Sequence, residues 1–81
     1  MNHELDRITT SPDVSGGKPS IRQMRFTVAQ MLELLASGMT HAEILADYPF
    51  LEKEDIEQVL QYAGKLANGK IVQIKAAPNP A

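Results

Sequence analysis

Lys18 stands directly behind the glycine pair Gly16–Gly17, the arrangement from which a phosphate-cradling loop is built. Such a loop needs glycine, four residues, then Gly-Lys-Ser/Thr, because its amides wrap the phosphates and its hydroxyl binds magnesium. Pro12 occupies the first-glycine position and Pro19 replaces the hydroxyl. The stretch therefore reads as a turn, with glycines supplying positive φ and Pro19 fixing the exit. A second chemistry is phosphate contact by Lys18, Arg22 and Arg25, the basic cluster outside the C-terminal tail. On a strand, residues 22 and 25 point to opposite faces, whereas a bulge or turn at Gln23-Met24 lets them converge. The equal alternative is that the arginines are solvated or salt-bridged, neutralising the acidic middle of this chain or of a partner subunit.

Other chemistry finds no framework. His3 and His41 are the only histidines and there is no cysteine, so neither metal-ligand spacing nor a thiolate site is present, and no cofactor is expected. Serine, histidine and aspartate occur without a nucleophile elbow to organise them. Glu52, Glu54, Asp55 and Glu57 crowd one helix start. They read as a solvated end that favours the positive pole of the helix dipole, in preference to an acid/base pair. A non-enzymatic protein is expected.

The elements that position these residues are marked by local chemistry. Thr27 with Gln30 forms a capping box ahead of Val28, Met31, Leu32 and Leu35, and Gly38 supplies a left-handed stop, predicting a helix over 28–37. Thr40 with Glu43 repeats the box, and Ile44, Leu45 and Tyr48 give a second helix over 41–47, ended before Pro49. Ile56, Val59, Leu60, Ala63 and Leu66 recur at helical spacing over 53–67, closed by Asn68-Gly69. The core is then three apolar helix faces, with Tyr48, Phe50 and Tyr62 at the corners. Ile8-Thr9-Thr10 and residues 20–27 carry β-branched and alternating side chains, predicting short strands joined by turns. The run KIVQIK, residues 70–75, reads as an edge strand, and the closing AAPNPA as disordered. The fold class is mainly α: a three-helix, helix-turn-helix core with short N-terminal strands and a C-terminal edge strand. The division is a flexible terminus at 1–7, one domain at 8–69 and a tail at 70–81.

At 81 residues, the chain buries only roughly 60–65% of its unfolded surface, so a second subunit or another partner is expected. Charge is segregated within a net −2. Residues 31–60 hold one Lys/Arg against seven Asp/Glu, and residues 61–81 hold three lysines and no acid. Such an acidic middle argues against a general affinity for nucleic acid. A third helix reading the major groove would present Lys53, Gln58 and Gln61 to DNA together with four carboxylates, which argues against that mode. Residues 1–10 lack a basic start and apolar run, and no apolar stretch approaches a membrane span. The expectation is a soluble cytoplasmic protein.

The order of signals from "ITTSPDVSGGKPSIRQMRF" through "YPFLEKEDIEQVLQYA" resembles the small bacterial Domain of Unknown Function family 433. Its pattern runs I-x-x-x-P-x-x-x-G-G-K-P-x-I-x-G-T-R-I-x-V, then a helix ending in a-x-G-x-s-x-x-E-I, then Y-P-x-L-x-x-x-D-I-x-x-A-L-x-Y-A. Matching positions include Ile8, Pro12, Gly16, Gly17, Lys18, Pro19, Ile21, Arg25, Val28, Gly38, Glu43, Ile44, Tyr48, Pro49, Leu51, Asp55, Ile56, Leu60, Tyr62 and Ala63. The resemblance implies a homeodomain-like core and a non-enzymatic antitoxin that binds and neutralises a PIN-like ribonuclease toxin. It also implies operator binding as dimers or complexes.

The chain departs from that pattern where Gln23-Met24 replaces Gly-Thr, Thr27 replaces proline and Glu52 replaces Ser/Thr. Losing the glycine argues against a left-handed turn at residue 23, an exposed Met24 suits a protein contact, and Glu52 is a weaker cap. The leading expectation is a protein that binds a ribonuclease through Met24, Glu54 and Glu57 or by strand addition through Ile71 and Ile74, and that self-associates as a homo-oligomer. The alternatives are a dimeric operator-binding regulator acting through Lys18, Arg22 and Arg25, and a homo-oligomer whose role depends on assembly.

Overall fold

The turn chemistry of residues 11–19 folds the chain back on itself, so that the first strand, β1 (Ile8–Thr10), pairs antiparallel with β2 (Ser20–Ile21), with Ile8 opposite Ile21. The structure is a computed structural model that describes residues 5–69 and the backbone of 75–76. Between the strands, a single 3-10 turn at Ser15–Gly17 holds Gly16 and Gly17 at φ of 65° and 84°. This is the expected use of the glycine pair.

Three helices follow. In α1 (Val28–Ala36), the Thr27 Oγ1 accepts from the Gln30 amide at 3.0 Å, and Gln30 Oε1 accepts from the Thr27 amide at 2.9 Å. In α2 (His41–Asp47), Thr40 and Glu43 make the same reciprocal pair, at 3.1 and 2.8 Å. Helix α3 (Lys53–Ala67) ends at Asn68-Gly69, with Gly69 at φ 74°. The helix bounds agree with those predicted to within one residue, because the caps that set them are local chemistry.

Lys75–Ala76 forms β3, which runs parallel to β1 with Thr9 opposite Lys75, giving the sheet order β2-β1-β3. The predicted strand over 70–75 is thus met at its last residue. Ile71, Ile74 and the rest of that run lie outside the described residues, as do residues 1–4 and 77–81.

Ile8 and Ile21 from the sheet meet Val28 and Met31 of α1, Ile44 of α2, and Ile56, Val59 and Tyr62 of α3 in one buried core, closed by Leu5, Phe26 and Leu51. The packed unit begins before residue 8, since Leu5 is buried. Three expected core residues are on the surface: Phe50 is 50% exposed, Leu60 43% and Leu66 50%. Leu60 lies on the flank of a helix whose inner face is Asp55, Ile56, Val59 and Tyr62. Leu66 lies in the last turn of a 15-residue helix packed against the 9-residue α1, so the longer helix overhangs its cover. Phe26 takes the inner position expected of Phe50. No helix among the described residues is long and apolar enough to cross a membrane.

Candidate functional site

The hairpin that carries Arg22 to Arg25 is built from an unusual turn. Ile21 donates to the Phe26 carbonyl at 3.0 Å and Met24 donates to the Ile21 carbonyl at 2.8 Å, so Arg22 and Gln23 are the two central residues. Both have positive φ, 48° and 61°. The left-handed turn at residue 23 is therefore present without the glycine, contrary to expectation. Surrounding bonds over-determine it: the Arg22 amide donates to the Arg7 carbonyl at 2.7 Å, and the Gln23 amide to Thr9 Oγ1 at 3.0 Å. Such positions cost on the order of 1–3 kcal/mol each and persist where tertiary contacts enforce them.

The strongest of those contacts is Asp55. Its side chain is fully buried, in place of the solvated position expected for this helix start. Oδ1 accepts from Arg7 Nη1 at 3.0 Å and from Arg22 Nε at 3.1 Å; Oδ2 accepts from Arg22 Nη2 at 2.9 Å and from the Glu52 amide at 2.8 Å. All four acceptor positions of the carboxylate are thereby filled, as a buried charge requires. Burial pushes the Asp55 carboxyl up, but the hydrogen bonds from Arg22, the Glu52 amide and Arg7 outweigh it and hold the group below the usual carboxylate range. Arg7 also donates to Glu52 Oε1 at 2.6 Å, and this bond, then the one to Asp55, raises its pKa above the ordinary arginine value. Hydrogen bonding to Asp55 raises that of Arg22.

Glu52 thus turns its side chain to Arg7, and the cap of α3 is supplied by Asp55 from three residues along. Signals for this hub exist in the sequence, but they are indirect. Asp55 is the one aspartate in a glutamate-rich helix start, and the register that pairs Ile8 with Ile21 sets Arg7 beside Arg22.

The hub fixes the hairpin against the start of α3. Arg22 Nη2 also donates to the Phe50 carbonyl at 2.8 Å. Beside that bond, Met24, Arg25, Phe26 and Phe50 line an open groove of about 310 Å³. Its floor is braced by an edge-to-face aromatic cluster, with Phe26 and Tyr48 centroids 5.1 Å apart and Phe26 and Phe50 centroids 6.0 Å apart. A second groove of about 310 Å³ lies between α1 and α3, lined by Lys18, Pro19, Thr27, Val28, Ala29, Leu32 and Tyr62.

The predicted site residues fall on different parts of this surface. Lys18 is exposed at the second groove, Arg22 is half-buried on Asp55, and Arg25 is exposed at the first groove. Met24 is half-buried in the wall of the first groove, and Glu54 and Glu57 are exposed on the first turns of α3, where Lys53 Nζ approaches Glu57 Oε2 to 3.9 Å. Ile71 and Ile74 lie outside the described residues. Among the described residues, Lys18, Arg25 and Lys65 make no ion pair, against six such carboxylates: Asp6, Asp13, Glu33, Glu43, Asp47 and Glu54. No group of three His, Cys, Asp or Glu that could hold a metal occurs among these residues.

No curated protein matches the chain. Among solved structures, it is similar to a DUF433 member protein from Anabaena variabilis, with 30% identity and a TM-score of 0.71 over 79% of this chain. The matched part spans 63% of that protein's length. Residues 8–63 match the family described as "Protein of unknown function (DUF433)". That match takes in β1, the hairpin, all of α1 and α2, and α3 through the Asp55 hub to Ala63, and on it the chain belongs to the DUF433 family.

Proposed function

We propose that this chain is a non-enzymatic, antitoxin-like interaction protein of the cytoplasm that binds and blocks a ribonuclease of PIN-like class. The observation that carries the reading is the groove formed by Met24, Phe26 and Phe50 beside the acidic start of α3. A half-exposed phenylalanine braced by two further rings is the kind of rigid anchor that dominates protein interfaces. Glu54 and Glu57, within two turns of it along the chain, would meet the basic RNA-binding surface of a nuclease with complementary charge. The nuclease class comes from the antitoxin resemblance of the sequence.

The test is co-purification with any nuclease encoded beside this gene, coupled to an RNA-cleavage assay. Phe50→Ala is expected to weaken binding at least about tenfold, as loss of an aromatic anchor does, while the helical content is unchanged. Glu54→Lys with Glu57→Lys should slow association and restore cleavage. A nuclease that cleaves equally in the presence of excess protein would overturn the reading.

Operator binding by a dimeric regulator through Lys18, Arg22 and Arg25 has less support. Arg22 is committed to Asp55, and Lys18 and Arg25 line different grooves.

A further inference from the structure

The groove of Met24, Arg25, Phe26 and Phe50 is lined by one charged group, and its sign is opposite to that of the acidic start of α3. The other three lining side chains are apolar, so a partner side chain set among them must be apolar too. Arg25 is exposed and without an ion pair among the described residues. Arg22, by contrast, spends its guanidinium on Asp55 and on the Phe50 carbonyl. The two arginines thus have divided roles: one builds the groove, and the other is left to read what enters it.

The walls are held in place before any partner arrives. The Arg22–Phe50 bond of 2.8 Å ties the hairpin to the segment before α3, and Phe50 rests edge-on against Phe26 and Tyr48 at centroid distances of 6.0 and 6.2 Å. The turn that delivers Met24 and Arg25 is fixed at positive φ by the same hub and by Thr9. Walls ordered in advance reduce the entropy lost on binding and let a small contact discriminate. With a volume of about 310 Å³ and an open side, the groove is at the lower end of the range for ligand sites and does not enclose a free small molecule. It suits an apolar side chain of a segment that runs through it. A guanidinium at its edge presents a planar fork of donors that matches a carboxylate, which aspartate and glutamate supply.

Given the reading of this groove as the partner face, on which this rests, we infer that it takes a partner segment of stated chemistry. An apolar side chain sits between Met24 and Phe50, and an adjacent aspartate or glutamate pairs with Arg25. A basic surface opposite Glu54 and Glu57 is then not sufficient by itself; an acidic residue must interrupt it at Arg25.

Selection of a random linear peptide library on the immobilised full chain tests this without a prior choice of partner. Sequences that join a leucine, isoleucine, methionine or aromatic residue to a neighbouring aspartate or glutamate are expected to be enriched. Fluorescence anisotropy then measures the binding of a selected peptide. Arg25→Gln should weaken it about fivefold, the upper end for an exposed ion pair, and Phe50→Ala at least about tenfold. Both positions are exposed, and circular dichroism checks that the fold is kept. Selection on Arg25→Glu should exchange the acid for lysine or arginine. No enrichment, an apolar motif without the acid, or the same acidic motif on Arg25→Glu would each overturn the inference. Nuclease capture is read separately: a chain that selects the motif but captures no nuclease upholds the inference and fails the proposed function.

Discussion

Replacing Asp55 by alanine removes one carboxylate and four hydrogen bonds at once. Deleting one member of a buried ion pair costs about 3–5 kcal/mol, because the remaining charge is left uncompensated. Here the penalty is at the lower end, since the Arg7 and Arg22 side chains are 25% and 33% exposed and can turn to water. Losing the cap of α3 adds about 1 kcal/mol. A loss of about 3–4 kcal/mol is therefore expected, against a total of roughly 4–12 kcal/mol for a domain of this size. Urea unfolding followed by far-ultraviolet circular dichroism at pH 7 measures it directly.

The same group gives a pH signature. Its folded pKa lies below the unfolded one, so its contribution is complete above about pH 4 and is lost as pH falls through the depressed folded value. The wild type should lose this component below about pH 4, and Asp55→Ala should lack it. A cost of less than about 1 kcal/mol, in the range of an exposed pair, or an unchanged acid limb in the variant, would refute the argument that the hub anchors the hairpin.

Two substitutions probe the local geometry on either side of that hub. Gln23→Gly places glycine at a φ of 61° and should stabilise the domain by about 0.5–1 kcal/mol once the larger unfolded-state entropy is subtracted, read as a rise of about 2–8 °C in Tm. Thr27→Ala removes the acceptor for the Gln30 amide and should cost about 1 kcal/mol, with the loss visible in the same urea titration.

Helix positions were legible because their determinants lie within a few residues of one another. Thr27 with Gln30, Thr40 with Glu43 and the stop at Gly38 each act over one turn, and no distant partner is needed to read them. Asp55 was misread for the opposite reason. Its partners lie at residues 7 and 22, and which arginines reach it depends on the pairing register of two strands that total five residues. The rule that a left-handed position wants glycine describes an isolated residue. At Gln23 it is overridden by bonds to Thr9 and by the anchoring of Arg22. Periodicity also counted Leu60 and Leu66 as core, because a 3.6-residue spacing records which side of a helix is apolar and not how far its neighbour covers it.

The contacts of Asp55 span 48 residues to Arg7 and 33 to Arg22, and so belong to the slow, non-local part of folding, where loop closure precedes any reward. During synthesis the hairpin leaves the ribosome well before the start of α3. Until that helix arrives, Arg7 and Arg22 sit side by side without their counter-charge, at a turn that strains two residues. The hairpin, and with it the groove of Met24 and Phe50, therefore assumes its final shape only when the third helix docks. A truncated or stalled chain would display the basic strands without a finished recognition surface, so partner binding would report on completion of the whole domain.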